Sequence, residues 1–168
     1  MKKILVATGL FGVLAFAGSV NAQSASATAS ANAKIVAPIA IAETSNLQFG
    51  SIAASAAAGT AVMTPAGVLS VTGGATIVHD GTVTTAAAFN VTGAPNATYA
   101  ITLPAAAVTI TSGANTMTVD TFTSNPTPTG TLSAGGSQAL TVGATLHVAA
   151  SQAQGSYTGN FTVTVAYN

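Results

Sequence analysis

Two-residue alternation limits this chain more than any other feature, and it is strictest between Ser24 and Ala33. There every odd position is alanine and every even position is Ser, Thr or Asn. Successive side chains of an extended strand point to opposite faces, so this period predicts a strand with one methyl face and one polar face. Alanine favours helices, but such regular Ser and Thr alternation does not fit one. The methyl row is too thin to form a core by itself. A segment like this has a use if it completes a sheet belonging to another molecule. The plainer alternative is a disordered Ser/Ala spacer.

Ahead of this run lie Met1-Lys2-Lys3, an apolar stretch from Ile4 to Gly18, and Ser19-Val20-Asn21-Ala22. A positive start, an apolar middle and small residues before a cut have the form of a secretory leader. Cleavage is expected after Ala22, leaving Gln23 first. The apolar stretch is short against the ~20 residues of a membrane span, and no later segment offers a transmembrane candidate. The expected organisation is a signal peptide at 1–22, an extension at 23–33 and one domain at 34–168.

Beyond the leader the charged side chains are Lys34, Glu43, Asp80 and Asp120. Nothing here can neutralise a row of phosphates, which excludes nucleic acid as a partner. Near-zero charge also removes the self-repulsion that keeps soluble proteins apart. The chain has no cysteine. An exported domain without disulfides must be held by strand packing.

Short alternating runs punctuated by Gly, Pro and Asn continue to the end. Ile35, Ile39 and Ile41 share one parity of a strand spanning Lys34–Ala42, with Pro38 on the other parity, which places that strand at an edge. Leu47–Ile52 is the next strand, and Ala53–Gly59 reads as a small-residue loop before weaker strands at Ala61–Met63 and Val68–Thr72. Asp80-Gly81 predicts a two-residue hairpin turn within Ile77–Val83. Further strands are expected at Ala87–Thr92, Tyr99–Leu103, Val108–Thr111, Met117–Thr123 and Gln138–Ala149, the last with Gly143 as a bulge. Asn125–Gly130 reads as a loop. In the final strand Tyr157, Phe161, Val163, Val165 and Tyr167 point one way and Thr158, Asn160, Thr162, Thr164 and Ala166 the other, with Gly159 interrupting. Many short strands at this spacing predict an all-β, antiparallel sandwich.

The stretch from Gln152 to Tyr167, with Gly155-Ser156-Tyr157 launching a Thr/Val strand, resembles the ending of secreted bacterial pilin-like subunits. These are the spore coat protein U type and the cysteine-free subunits of alternative chaperone–usher pili. Ile35 to Gly50, with Pro38-Ile39-Ala40-Ile41 and Leu47-Gln48-Phe49-Gly50, resembles the start of a related domain family of unknown function. The pilin resemblance implies an incomplete immunoglobulin-like sandwich whose missing strand comes from the N-terminal extension of the next subunit. It implies a donor strand carrying Ala25, Ala27, Ala29, Ala31 and Ala33. The acceptor groove would lie between the edge strand and the final strand, with Tyr157, Phe161, Val163, Val165 and Tyr167 lining its core side. Implied partners are copies of the chain itself, a periplasmic chaperone and an outer-membrane usher.

Magnitudes test the donor. Ten extended residues reach ~33 Å, the length of a sandwich. Five alanine methyls give only ~4 kcal/mol at ~0.8 kcal/mol per buried carbon, whereas ordering ten residues costs ~1–2 kcal/mol each. Ladder hydrogen bonds or bulkier residues must contribute. Including Ile35 and Ile39 shifts the register towards 27–39, and both registers stay open.

Catalytic and metal chemistry lack a pattern. His79 adjoins Asp80 at a turn and His147 sits between Leu146 and Val148, without metal-ligand spacing. Gly155-Ser156-Tyr157-Thr158-Gly159 is not followed by a helix, so it is no nucleophile elbow. No cofactor is implied. Short strands and dispersed aromatics argue against an outer-membrane barrel. The expectation is a non-enzymatic, exported subunit that polymerises by donor-strand exchange into a pilus, fimbria-like fibre or surface coat. The alternative is a monomeric secreted sandwich that binds glycans or acts as an adhesin, which the absence of tryptophan weakens.

Overall fold

The computed structural model describes residues 23–168. The expected leader, 1–22, lies outside the described residues. The chain divides into two compact units, 1–34 and 35–168. In the first, residues 23–34 are exposed and take no regular secondary structure.

The second unit is all-β, and no helix occurs among the described residues. Its strands are β1 (Ala40–Ser45), β2 (Gln48–Phe49), β3 (Ser51–Met63), β4 (Leu69–Val78), β5 (Thr84–Thr85) and β6 (Ala87–Thr92). They continue with β7 (Thr98–Thr102), β8 (Val108–Ser112), β9 (Asn115–Asn125), β10 (Thr129–Thr131), β11 (Ser137–Val148) and β12 (Thr164–Tyr167). All pairings are antiparallel.

β11 is the spine of a seven-stranded sheet that curls into a half-barrel. Its first half, Ser137–Val142, pairs with β6, and its second half, Ala144–Val148, pairs with β3. β9 runs along its other edge, followed by β8, while β1 lies outside β6 and β4 outside β3. A three-stranded sheet, β10-β7-β12, and the small pair β2-β5 complete the fold.

Period 2 in the sequence becomes burial in the structure. Leu140, Val142, Ala144, Leu146 and Val148 of β11 are all buried. Leu146 and Val148 join Ala61, Ala75, Met117 and Val119 in one apolar cluster. Leu140 and Val142 join Ala87, Val91, Tyr99, Leu132 and Val163 in a second, where the three-stranded sheet covers β6 and β11. Tyr99 is completely buried, with its hydroxyl donating to Gln138 Oε1 at 2.8 Å. Burial pushes its phenol pKa up, because the anion would lose water without a compensating charge.

Several sequence expectations change. Ala53–Gly59 is not a loop but the middle of β3, although Ser55–Ala58 bulge out between the pairs Ala54↔Ala75 and Gly59↔Gly73. The Asp80-Gly81 turn does not form a hairpin, since β4 pairs with β3 while β5 pairs with β2. The first strand begins at Ala40 rather than Lys34. Part of the expected 125–130 loop is strand β10, which pairs with β7. The bulge expected at Gly143 sits opposite it: β9 holds the extra residue, with Thr121 at φ 49°. Gly143 has a different role, because a Cβ there would run into the Met63 carbonyl and lie 2.6 Å from Thr64 C. The final strand is four residues long, and its approach crosses from one apolar cluster to the other.

Candidate functional site: a bare strand edge

Residues 155–167 bridge two sheets, which explains why their alternation does not make one strand. Thr158 exchanges two backbone hydrogen bonds with Thr111, at 2.9 and 3.0 Å, fixing this end beside β8. Glycines permit the approach: a Cβ on Gly159 would lie 2.8 Å from Ile110 Cγ2 and 2.9 Å from the Thr109 carbonyl. The chain then leaves β8, and only Thr164–Tyr167 pairs with β7. Tyr157 therefore packs against the first cluster, while Phe161, Val163, Val165 and Tyr167 join the second.

Among the described residues the outer edge of β12 has no strand partner, and neither do residues 159–163 before it. Beside it runs β1, which among the described residues pairs with β6 alone. Cα atoms of β1 and β12 come within 8 Å, yet no backbone pairing joins the two strands. A strand lying between them needs about twice the ~4.8 Å strand spacing, so insertion would part them slightly at their closest point. Half-buried apolar residues on both strands and just before them, Ile39 and Ile41 on one, Phe161, Val165 and Tyr167 on the other, pack against the second cluster. Phe161 is anchored by Phe122, at 5.0 Å between ring centroids, and by Phe89, edge-on at 6.5 Å.

Exposed edges invite pairing with other chains, and proteins blunt them with charge, proline, bulges or cover. β1 carries Glu43 and follows Pro38. β10 follows Pro126 and Pro128. The outer edge of β8 is bridged by Thr158. β4 is kinked at Gly73, which has φ 65°. β12, with the sequence Thr-Val-Ala-Tyr, has no charge, proline or bulge and is blunted only by its length of four residues.

Tyr167 closes one end of this region. Its hydroxyl accepts the Ala94 N–H at 2.6 Å and donates to the Ala37 carbonyl at 2.8 Å. Ala37 and Ala94 carry no local signal for such a bond, so the sequence does not announce it. Phe89 was also missed, although it shares the parity of Ala87 and Val91 on a strand that the sequence does predict.

The remaining candidate residues spread out. Ala25, Ala27, Ala29, Ala31 and Ala33 are exposed and belong to no strand. Ile35 lies outside β1 and is 97% exposed, and Val36 is 49% exposed. His147 Nε2 lies 2.9 Å from Asp120 Oδ1 on the exposed face of the seven-stranded sheet. That hydrogen bond, helped by Thr121, lowers the Asp120 pKa. His79 is exposed beside its turn. Among the described residues no group of three or more His, Cys, Asp or Glu could hold a metal ion. No helix among them is long and apolar enough to cross a membrane.

Residues 39–167 match the model of a family described as a domain of unknown function (DUF4402). No curated protein and no solved structure matches the chain. The matched span covers nearly all of the second unit, from Ile39 to Tyr167, and the chain belongs to the DUF4402 family.

Proposed function

We propose that this protein is an exported structural subunit that polymerises by donor-strand exchange into a pilus, fimbria-like fibre or surface coat. The observation that carries the reading is β12, an edge without charge, proline or bulge beside half-buried apolar residues. A strand added there gains backbone hydrogen bonds and covers apolar surface, the usual sources of affinity and specificity in strand addition. In this reading the domain is an incomplete immunoglobulin-like sandwich. The acceptor residues are Ile39, Ile41, Phe161, Val163, Val165 and Tyr167.

The donor is the arm of another copy. Ile39 already packs against its own domain and Ala37 is held by Tyr167, which disfavours the register 27–39. Ile35 is free and has the parity of the alanine row, so the donor face runs from Ala25 to Ile35. Burying Ile35 adds ~1.5–3 kcal/mol to what the alanines supply. Lys34 falls on the opposite, polar face. A periplasmic chaperone would cover the β12 edge until exchange, and an outer-membrane usher would deliver the subunit to the surface.

The test is the solution mass of the chain from Gln23 onward, with and without residues 23–33. Strand exchange predicts multimers that resist mild detergent, and their loss on truncation. Equal, stable monomers from both would instead favour a monomeric binding module.

A further inference from the structure

We infer that the Tyr167 hydroxyl is an exit latch: it holds Ala37 in line with β1, denies the arm to its own β12 edge and so reserves that edge for a second copy. The inference rests on the strand-addition reading above.

The geometry starts from one oxygen with two backbone partners. Ala40 pairs with Thr92, and three residues upstream the Ala37 carbonyl shares the Tyr167 phenol with the Ala94 N–H. Residues 37–40 therefore continue alongside 92–94 instead of bending towards β12. Space for the phenol is built in, because a Cβ on Gly93 would collide with its oxygen and lie 3.0 Å from Leu132 Cδ1.

Strand directions then decide what the arm can reach. β12 runs towards Tyr167. The chain from Ala37 runs away from it, through Glu43, whose partner Phe89 lies against Phe161. An arm returning to its own β12 must reverse within Lys34-Ile35-Val36 and would lie parallel to β12. That tripeptide has no Gly, Asn, Asp or Pro, and its β-branched pair resists the positive φ of tight reversals. Asn32 is the nearest turn-forming residue, and a reversal there removes Ile35 from the new ladder. Parallel pairing is also slightly weaker per residue than antiparallel. A second copy meets none of these restrictions.

Two variants of the chain from Gln23 onward test the latch: Tyr167→Phe, and Ile35→Asn combined with Val36→Gly. Solution mass and amide exchange are measured for each, beside the wild type and a form lacking residues 23–33. Tyr167→Phe keeps the packed ring, and losing one hydrogen bond should cut Ala94 amide protection about tenfold. Both variants should shift multimers towards monomers whose arm amides are protected, the second because Asn-Gly supplies a reversal while the latch stays intact. If Tyr167→Phe assembles like the wild type while the arm-deleted form does not, the latch is wrong and strand addition stands, whatever the second variant does. A monomeric wild type with a protected arm also overturns the latch. If arm deletion leaves the wild-type mass unchanged, strand addition fails and the latch fails with it.

Discussion

Ser51 donates a 2.6 Å hydrogen bond to Asp80 Oδ2, tying the first residue of β3 to the turn that follows β4. The Thr82 N–H holds the other carboxylate oxygen at 2.9 Å, and the Ser51 and Thr82 hydroxyls lie 3.0 Å apart. The Asp-Gly turn is thus tied sideways to β3, and β5 departs to pair with β2.

These bonds, the one from Ser51 foremost, lower the Asp80 pKa from 3.8 to about 2. A depressed carboxyl stabilises the fold above its unfolded pKa and loses that contribution as pH falls through the folded value. Here the loss falls between pH 3.8 and about 2. A carbon-detected titration should place the Asp80 midpoint near 2, and Ser51→Ala should move it back towards 3.8. A midpoint near the ordinary value in the wild type would contradict the Ser51 tie.

Ile39 and Ile35 should separate folding from assembly. Ile39 packs on the second cluster, so Ile39→Ala should cost about 1–2 kcal/mol in urea unfolding, below the range for full burial. Ile35 is 97% exposed, and Ile35→Ala should leave monomer stability within ~0.5 kcal/mol. The same change should weaken assembly by roughly 60-fold, from about three carbons left unburied in the partner. Equal effects of Ile35→Ala on folding and assembly would place Ile35 in its own core.

Tyr99→Phe tests the buried hydroxyl. Gln138 Oε1 receives its hydrogen bond, and removing the donor should cost about 1–2 kcal/mol. No measurable change in the unfolding midpoint would mean that the bond contributes nothing net.

Gly143→Ala tests the close approach at the end of β3. The new Cβ would meet backbone at Met63, Thr64 and Pro65, which cannot swing away as a side chain can. A destabilisation of about 2–3 kcal/mol is expected. A neutral outcome in thermal unfolding would show that the Met63–Pro65 corner shifts freely.

The sequence is most legible where large apolar residues carry the alternation, whereas the stricter Ser24–Ala33 run takes no regular secondary structure. Ala87–Thr92 and the spine near Gln138–Ala149 appear as β6 and β11, because β-branched and large apolar residues mark the buried face. Ala53–Gly59 reads as a loop because alanine and serine carry little strand preference, whereas pairing with β4 imposes the extended form. Asp80-Gly81 specifies a turn but not which strands it joins. The final alternation from Tyr157 predicts one face, yet Gly159 lets the chain cross between sheets, and Tyr157 ends in a different cluster from Phe161. All six residues of the proposed acceptor lining, Ile39, Ile41, Phe161, Val163, Val165 and Tyr167, are visible as parity. The Tyr167–Ala37 bond is not, since a backbone carbonyl leaves no trace in residue identity.

The most direct test of strand addition exploits the absence of native cysteine. Val165→Cys is combined in turn with cysteine at each position from Ser24 to Ala33, the purified chain is oxidised, and products are sized with and without reductant. Disulfides require Cβ atoms ~3.5–4.5 Å apart, so an arm seated methyl-side down on a neighbour predicts reducible ladders from the alanine positions and few from the Ser, Thr and Asn positions. Monomers throughout, or ladders indifferent to parity, would contradict it.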